Sequence, residues 1–128
     1  QYVLCAWRRK YVRLTPEEHV RQTILYALET NYGYPNGLIG VEVSIEVAGL
    51  KKRCDAIVYN QQMQPLMLIE FKAETVPLTQ QVFDQAAIYN RHLQVPYLML
   101  SNGKDTIVAE VLPTEYRFLA YIPNYQEL

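Results

Sequence analysis

The segment Leu66-Met67-Leu68-Ile69-Glu70-Phe71-Lys72-Ala73 decides the fold. Apolar residues occupy both alternating faces along most of it, so neither face is polar. A strand that is apolar on both faces is typical of the middle of a sheet that is covered on both sides. We therefore predict a central strand over 66–73. Glu70 and Lys72 should leave it on the same face, roughly 6–7 Å apart.

One helix is predicted before the first three strands along the chain, and a second helix after them. Thr15-Pro16-Glu17-Glu18 combines an N-cap threonine, a proline at the first helical position and a glutamate at the third, which predicts a capping box. Apolar residues follow at helical spacing, and residues 31–37 end this helix. The second helix is predicted over 79–93, with one apolar stripe formed by Val82, Ala86, Tyr89 and Leu93.

Strand patterns account for most of the remaining chain. Strands are predicted at Val41–Val47, Lys51–Tyr59, Pro96–Leu100, Thr106–Leu112 and Glu115–Ile122. The connection from 66–73 through the second helix to 96–100 should be parallel and right-handed. The expected fold class is α/β, an α+β mixed sheet in the order α-β-β-β-α-β followed by C-terminal strands, in a single domain over 1–128.

Composition excludes several classes of protein. A chain of 128 residues that is 50% hydrophobic can form one domain with a sizeable core, which argues against disorder. With 12 basic and 13 acidic residues, the formal net charge of −1 argues against coating DNA through bulk basicity. No apolar run approaches the ~18 residues of a membrane span, and a GxxxxGK[ST] loop for nucleotide phosphates is absent. Cys5 and Cys54 are far apart, which favours a reducing, cytosolic setting over a disulfide framework or a zinc site.

Two carboxylates are predicted to face each other at the end of the central strand. If the preceding loop is centred between Gln62 and Met63, opposed residue numbers sum to 125, as those of Asp55 and Glu70 do. Directly opposed carboxylates repel, so this arrangement predicts a cation between them. Oxygen ligands favour Mg²⁺, with Mn²⁺ as an alternative, and the carbonyl of Phe71 is a natural further ligand. The alternative is an ordinary edge-strand ion pair between Glu70 and Lys72, with Asp55 in a turn.

The pattern Asp55, then Glu70-Phe71-Lys72, resembles the catalytic core of the PD-(D/E)xK nuclease superfamily. One branch is similar over about Tyr11–Asn102: the N-terminal nuclease-type domain of type I restriction enzyme R subunits, in a short stand-alone bacterial form. The stretches that carry this similarity are 14–18, 20–22, 49–55 and 83–85. Cys54 stands where the superfamily has a proline that shapes a turn and does no chemistry.

The resemblance implies a restriction-endonuclease-like core with defined residue roles. Asp55 and Glu70 match the metal-binding acids, and Lys72 matches the active-site lysine that assists the attacking water. Gln85 and Tyr89 match a QxxxY motif, and at i, i+4 on a helix they share one face. For Tyr89 the alternative is the apolar stripe, and for Gln85 the edge of that stripe.

Glu18 and several basic residues have two interpretations each. Related nucleases carry an acidic residue on the first helix that faces the metal, but a capping box explains Glu18 equally well. Arg21 and Gln22 either meet phosphate or lie on a solvated helix face. The candidates for DNA contact are Lys51, Lys52 and Arg53 beside Asp55, and the cluster Arg8, Arg9, Lys10 and Arg13. A solvated strand end is the alternative for the first run.

The leading prediction is a Mg²⁺-dependent phosphodiesterase that acts on DNA. Type I R subunits join this domain to a DNA-translocating motor, and the 128 residues contain no motor. A separate motor or restriction-complex subunit is therefore a candidate partner, and a membrane is not. Two alternatives stay open: a non-catalytic nucleic-acid-binding or assembly module on a nuclease fold, and an unrelated α+β domain in which the acids are coincidental.

Overall fold

The structure is a computed structural model that describes residues 1–128 except for the side chains of Val47 and Leu50. Its helices are α1 (Pro16–Tyr32) and α2 (Gln80–Leu93), with short 3-10 helices at Asn36–Leu38 and Tyr125–Glu127. Its strands are β1 (Tyr2–Cys5), β2 (Lys10–Arg13), β3 (Ile39–Val47), β4 (Leu50–Tyr59), β5 (Pro65–Phe71), β6 (Tyr97–Ser101), β7 (Thr106–Val111) and β8 (Tyr116–Phe118). None of the described helices is both long and apolar enough to cross a bilayer.

A six-stranded mixed sheet forms the centre of the molecule, in the order β3-β4-β5-β6-β7-β8. Only β5 and β6 pair in parallel, across the connection through α2, as predicted. Apolar residues of α1 pack on one face of this sheet and those of α2 on the other. Met67, Leu68 and Ile69 of β5 are fully buried, so the predicted central strand and the mixed α/β class are confirmed.

Helix α1 begins and ends as predicted, but its capping box is only half formed. The Thr15 hydroxyl accepts a hydrogen bond from the Glu18 N–H at 3.1 Å, and Gly33 ends the helix at φ +73°. The Glu18 carboxylate does not accept a hydrogen bond from the Thr15 N–H, because it accepts hydrogen bonds from the side chains of Arg8, Arg21 and Gln22 instead. The capping-box explanation of Glu18 is therefore wrong.

Helix α2 packs on the sheet through Val82, Ala86 and Leu93 of the predicted stripe, but not through Tyr89. Thr79 caps the helix, and its buried residues are Phe83, Ala86, Ala87, Asn90 and Leu93. Tyr89 keeps 43% of its surface exposed, so its assignment to the buried stripe is wrong.

The strand ends and the N-terminal segment also differ from prediction. β5 ends at Phe71 rather than at residue 73, and β8 is shorter than the predicted 115–122. β1 and β2 form a separate two-stranded sheet that the polar–apolar pattern did not indicate. The Trp7 indole in the turn of this sheet donates a hydrogen bond to the Glu29 carboxylate of α1 at 2.8 Å.

Candidate functional site

The predicted register between β4 and β5 is confirmed. Opposed residue numbers sum to 125 in the pairs Ala56–Ile69, Ile57–Leu68 and Val58–Met67. Regular pairing ends at Ala56 and Ile69, so the next opposed positions, Asp55 and Glu70, lie where the two strands separate.

Asp55 fills the gap between the separating strands. Its Oδ2 accepts a hydrogen bond from the backbone N–H of Phe71 at 2.8 Å, and its carbonyl accepts one from Arg21 at 3.1 Å. Because the N–H and C=O of one strand residue point to the same side, the Phe71 carbonyl also faces this gap. Burial raises the pKa of Asp55. The Phe71 N–H opposes that shift, and the charge of Glu70 adds to it.

Along β3 and β4, residues two apart stop sharing one face of the sheet beside Asp55. Val41 packs on the α1 side of the sheet and Val43 on the α2 side, although residues two apart normally share a face. On β4, Ala56 and Cys54 differ in the same way. Glu42, between the two valines, has φ +54°. Left-handed backbone at a non-glycine residue costs about 1–3 kcal/mol and is concentrated at functional sites.

Glu70 is directed to the α2 side of the gap. Its Oε1 lies 3.1 Å from the Lys52 ammonium, which also sits 4.4 Å from the ring centroid of Tyr89. Asp55 instead lines a cleft on the α1 side. The two carboxylates occupy opposed strand positions, but Asp55 lies on the α1 side of the sheet and Glu70 on the α2 side, so the prediction that they face each other is wrong.

The α1 side of the gap opens into a cleft of about 380 Å³. Glu18 is 3% exposed there and accepts hydrogen bonds from Arg8 at 2.5 Å, Arg21 at 2.9 Å and Gln22 at 3.0 Å. Burial alone would raise the pKa of Glu18, but these hydrogen bonds outweigh burial and lower it. Glu18 therefore faces the cleft as an ionised, fully engaged carboxylate, and its metal role stays a prediction.

A network of arginines and acids surrounds that carboxylate. Arg21 is buried rather than solvated and also approaches Glu42 at 3.3 Å. Arg8 approaches Glu42 at 3.4 Å, and Arg53 binds the same carboxylate at 2.9 Å. The solvated-face interpretation of Arg21 is wrong, and Arg8 is engaged internally instead of free for phosphate. Sequence reasoning missed Glu42 because it is one of several polar residues in an ordinary alternating strand.

The remaining predicted site residues lie around the same strand ends. Lys72 directly follows β5, is half-buried, and donates its backbone N–H to Ser101 at 2.9 Å. No described carboxylate lies within salt-bridge distance of its ammonium. Gln85 and Tyr89 are both exposed on α2. Lys51 is exposed on β4.

The carboxylate and carbonyl oxygens beside the gap are of the chemical type that a hard divalent cation prefers. Among the described residues there is no cluster of three histidine, cysteine or acidic side chains able to hold a metal. The available set is two carboxylates and the Phe71 carbonyl, and Mg²⁺ is usually held by one or two carboxylates with waters and phosphate completing its shell. Burial raises the pKa of the Cys54 thiol to about 11, and soft sulfur is a poor ligand for Mg²⁺ in any case.

The fold and this site define a mixed α/β domain with an acidic site where two central strands separate. The chain belongs to the family of type I restriction enzyme R protein N termini (HSDR_N), whose model matches residues 16–123. The interpretation as an unrelated α+β domain is therefore wrong. No curated protein sequence matches the chain.

A solved structure shares this fold. It is a fragment of a putative HsdR subunit of a type I restriction enzyme from Vibrio vulnificus YJ016, with a TM-score of 0.66 and 21% identity. The match covers 90% of this chain and 24% of that one. The chain thus spans about a quarter of the length of the solved fragment.

Proposed function

We propose that this domain hydrolyses DNA phosphodiester bonds in a metal-dependent reaction, with a site of the PD-(D/E)xK type. The observation that carries the proposal is the placement of Asp55 in the gap opposite Glu70, with Lys72 directly beyond the same strand end. Membership in the type I R-protein N-terminal family supports a nuclease-related role.

Each residue at the gap has a distinct task in this proposal. Asp55, Glu70 and the Phe71 carbonyl would hold Mg²⁺, or Mn²⁺ in its place. The bound metal would polarise a phosphoryl oxygen and lower the pKa of water. Lys72 would orient the attacking hydroxide and stabilise charge that develops on the phosphoryl group. Because the described carboxylates leave its ammonium unpaired, Lys72 is free for that task.

DNA contact is assigned to the exposed polar groups beside the gap. Gln85 lies one turn from Tyr89 on the exposed side of α2, and both would orient the scissile phosphate. Lys51 and Arg53 are exposed on β4 and would contact flanking phosphates. Lys52 would join them once it leaves Glu70.

A larger restriction complex is the proposed context. The solved relative is a fragment of a putative type I restriction enzyme subunit, and this chain corresponds to about a quarter of it. We infer that a motor subunit or motor region moves DNA and that this domain supplies the cutting site. A reducing, cytosolic setting remains part of this proposal.

The direct test is a cleavage assay with purified protein, supercoiled and linear DNA, and Mg²⁺ or Mn²⁺. Glu70→Gln and Lys72→Ala should each lower cleavage by at least about a hundredfold. Glu110→Gln is a control, because Glu110 is paired with Arg117 away from the gap. Equal cleavage by all variants would show that the activity comes from a contaminant.

A non-catalytic nucleic-acid-binding or assembly module is the second candidate. Lys52 already neutralises Glu70, and arginines already neutralise Glu18, so the acids have partners without a metal. This candidate predicts DNA binding in chelator, no cleavage with any divalent metal, and no loss of affinity in Glu70→Gln.

A further inference from the structure

The N-terminal hairpin has one exposed face. In its register Tyr2 opposes Arg13 and Leu4 opposes Tyr11, so these four side chains share a face. Tyr2, Leu4 and Tyr11 are 70%, 53% and 71% exposed, and Arg13 is exposed as well. The opposite face carries Cys5, which is fully buried. We call the exposed set the ribbon face.

The charge around the ribbon face has one sign. The charged residues among positions 1–16 are all basic, and the first acid in the chain is Glu17. Arg8 is engaged with Glu18, which leaves Arg9, Lys10 and Arg13 exposed on the hairpin. Aromatic rings beside a basic rim are the combination with which proteins bind unpaired nucleotides, through stacking on the rings and ion pairs to phosphates.

We propose that the ribbon face is a binding platform for single-stranded nucleic acid. Bases stack on Tyr2 and Tyr11, and phosphates contact Arg13 on the same face and Arg9 in the turn. Arg13 also lines the cleft beside Asp55, so a strand on the ribbon is led towards that cleft. This last step rests on the proposed nuclease function, whereas binding to the ribbon does not require a metal.

The proposed ligand follows from the exposed surface. Tyrosine rings stack on any base that is free of its partner, whereas the bases of a duplex are already stacked on each other. A partner protein with an acidic, apolar surface or an anionic membrane would use the same charges but would not need unpaired bases. Both of these are therefore outcomes that the test separates from the proposal.

The test is fluorescence anisotropy of the whole chain in EDTA with labelled oligothymidylate and a duplex of equal length. Tyr2→Ala and Tyr11→Ala should each weaken oligothymidylate binding about tenfold, and Tyr11→Phe should keep wild-type affinity because it retains the ring. Tyr121→Ala is the matched control, since Tyr121 is 63% exposed outside the hairpin. A plot of the logarithm of the binding constant against the logarithm of the salt concentration should have a slope that is smaller in magnitude by about one in Arg13→Gln than in wild type.

Three results would overturn the proposal. They are equal affinity for duplex and single strand, unchanged affinity in both alanine variants, and binding to anionic phosphatidylserine vesicles but not to oligothymidylate. Asp55→Asn should bind oligothymidylate at least as well as wild type. If Asp55→Asn loses cleavage but keeps binding, the result bears on the nuclease proposal alone. If Tyr2→Ala and Tyr11→Ala do not weaken binding, the result bears on the ribbon-face proposal alone.

Discussion

The Asp55 carboxylate accepts the backbone N–H of Phe71 at 2.8 Å, at the point where β4 and β5 stop pairing. A side chain thus takes the position that the neighbouring strand's carbonyl would occupy in a continuous ladder. The opening leaves the Phe71 carbonyl facing the same gap. The resulting site joins two strand ends, and its chemistry depends on Asp55 staying ionised although burial raises its pKa.

Asp55→Asn should make the protein more stable while it removes a proposed metal ligand. The folded-state pKa of Asp55 is raised by burial, so the native state holds this proton more tightly than the unfolded chain. Its contribution to stability is present below the ordinary Asp pKa and is lost as pH rises through the raised value. Removing the buried charge at pH 7 should increase the free energy of unfolding by about 1 kcal/mol.

Urea unfolding of wild type, Asp55→Asn and Asp55→Ala between pH 4 and pH 8 would measure this effect, a window that spans the ordinary Asp range and neutrality. Asparagine keeps an oxygen for the Phe71 N–H, whereas alanine leaves that donor without its partner and should be the least stable variant. Lower stability of Asp55→Asn than of wild type at pH 7 would contradict this account.

Glu18→Gln should destabilise the domain strongly. The variant leaves Arg8 and Arg21 partly buried without their shared carboxylate, which should cost about 3 kcal/mol. Hydrogen bonds outweigh burial and lower the pKa of Glu18, so its contribution is present above the ordinary Glu pKa and is lost as pH falls through the lowered value.

Chemical denaturation with Glu17→Gln as the control would measure the effect of Glu18, because Glu17 is exposed on the same helical turn. The control should change stability by no more than about 0.5 kcal/mol. If Glu18→Gln were as stable as wild type but bound Mn²⁺ more weakly, Glu18 would be a metal ligand and not a structural acid.

Lys52→Met should raise the affinity for a divalent metal. The Lys52 ammonium lies 3.1 Å from Glu70, and a metal that uses Glu70 must displace it. A partly exposed ion pair is worth up to about 1 kcal/mol, so the expected gain is roughly two- to fivefold. Isothermal titration with Mn²⁺ measures it, with Lys51→Met as the exposed neighbouring control. Equal affinities in wild type and Lys52→Met would mean that Lys52 does not compete for this acid.

Gln85→Ala should reduce cleavage without affecting the fold. Gln85 is exposed on α2, so its loss should leave the urea midpoint unchanged while cleavage falls about 10- to 100-fold. Gln81→Ala removes an exposed amide one turn earlier on the same helix and should be neutral in both assays. An equal loss in both variants would point to a general effect of α2 rather than to the QxxxY pair.

Local patterns were sufficient to predict the framework of the site. The N-cap Thr15, the start of α2 next to Thr79, the apolar β5 and the parallel connection to β6 follow from turn chemistry and hydrophobic spacing. The register of β4 and β5 followed from the centre of one short loop, which placed Asp55 opposite Glu70. Each of these features depends on neighbours in the chain or on one hairpin.

Non-local contacts explain what the patterns missed. The change of phase at Glu42 needs a left-handed residue inside a strand, and period-two alternation assumes that none occurs. The arginine network around Glu18 joins α1 with the N-terminal hairpin and β3, which no spacing rule brings together. The direction of Glu70 towards Lys52 depends on the same change of phase in β4.

The most direct test of the metal site is a Mn²⁺ titration of wild type, Asp55→Asn, Glu70→Gln and the control Glu110→Gln, followed by electron paramagnetic resonance. We expect Mn²⁺ to bind wild type and the control alike and to bind each gap variant at least about tenfold more weakly. Equal Mn²⁺ affinity in all four proteins would contradict the assignment of Asp55 and Glu70 as metal ligands.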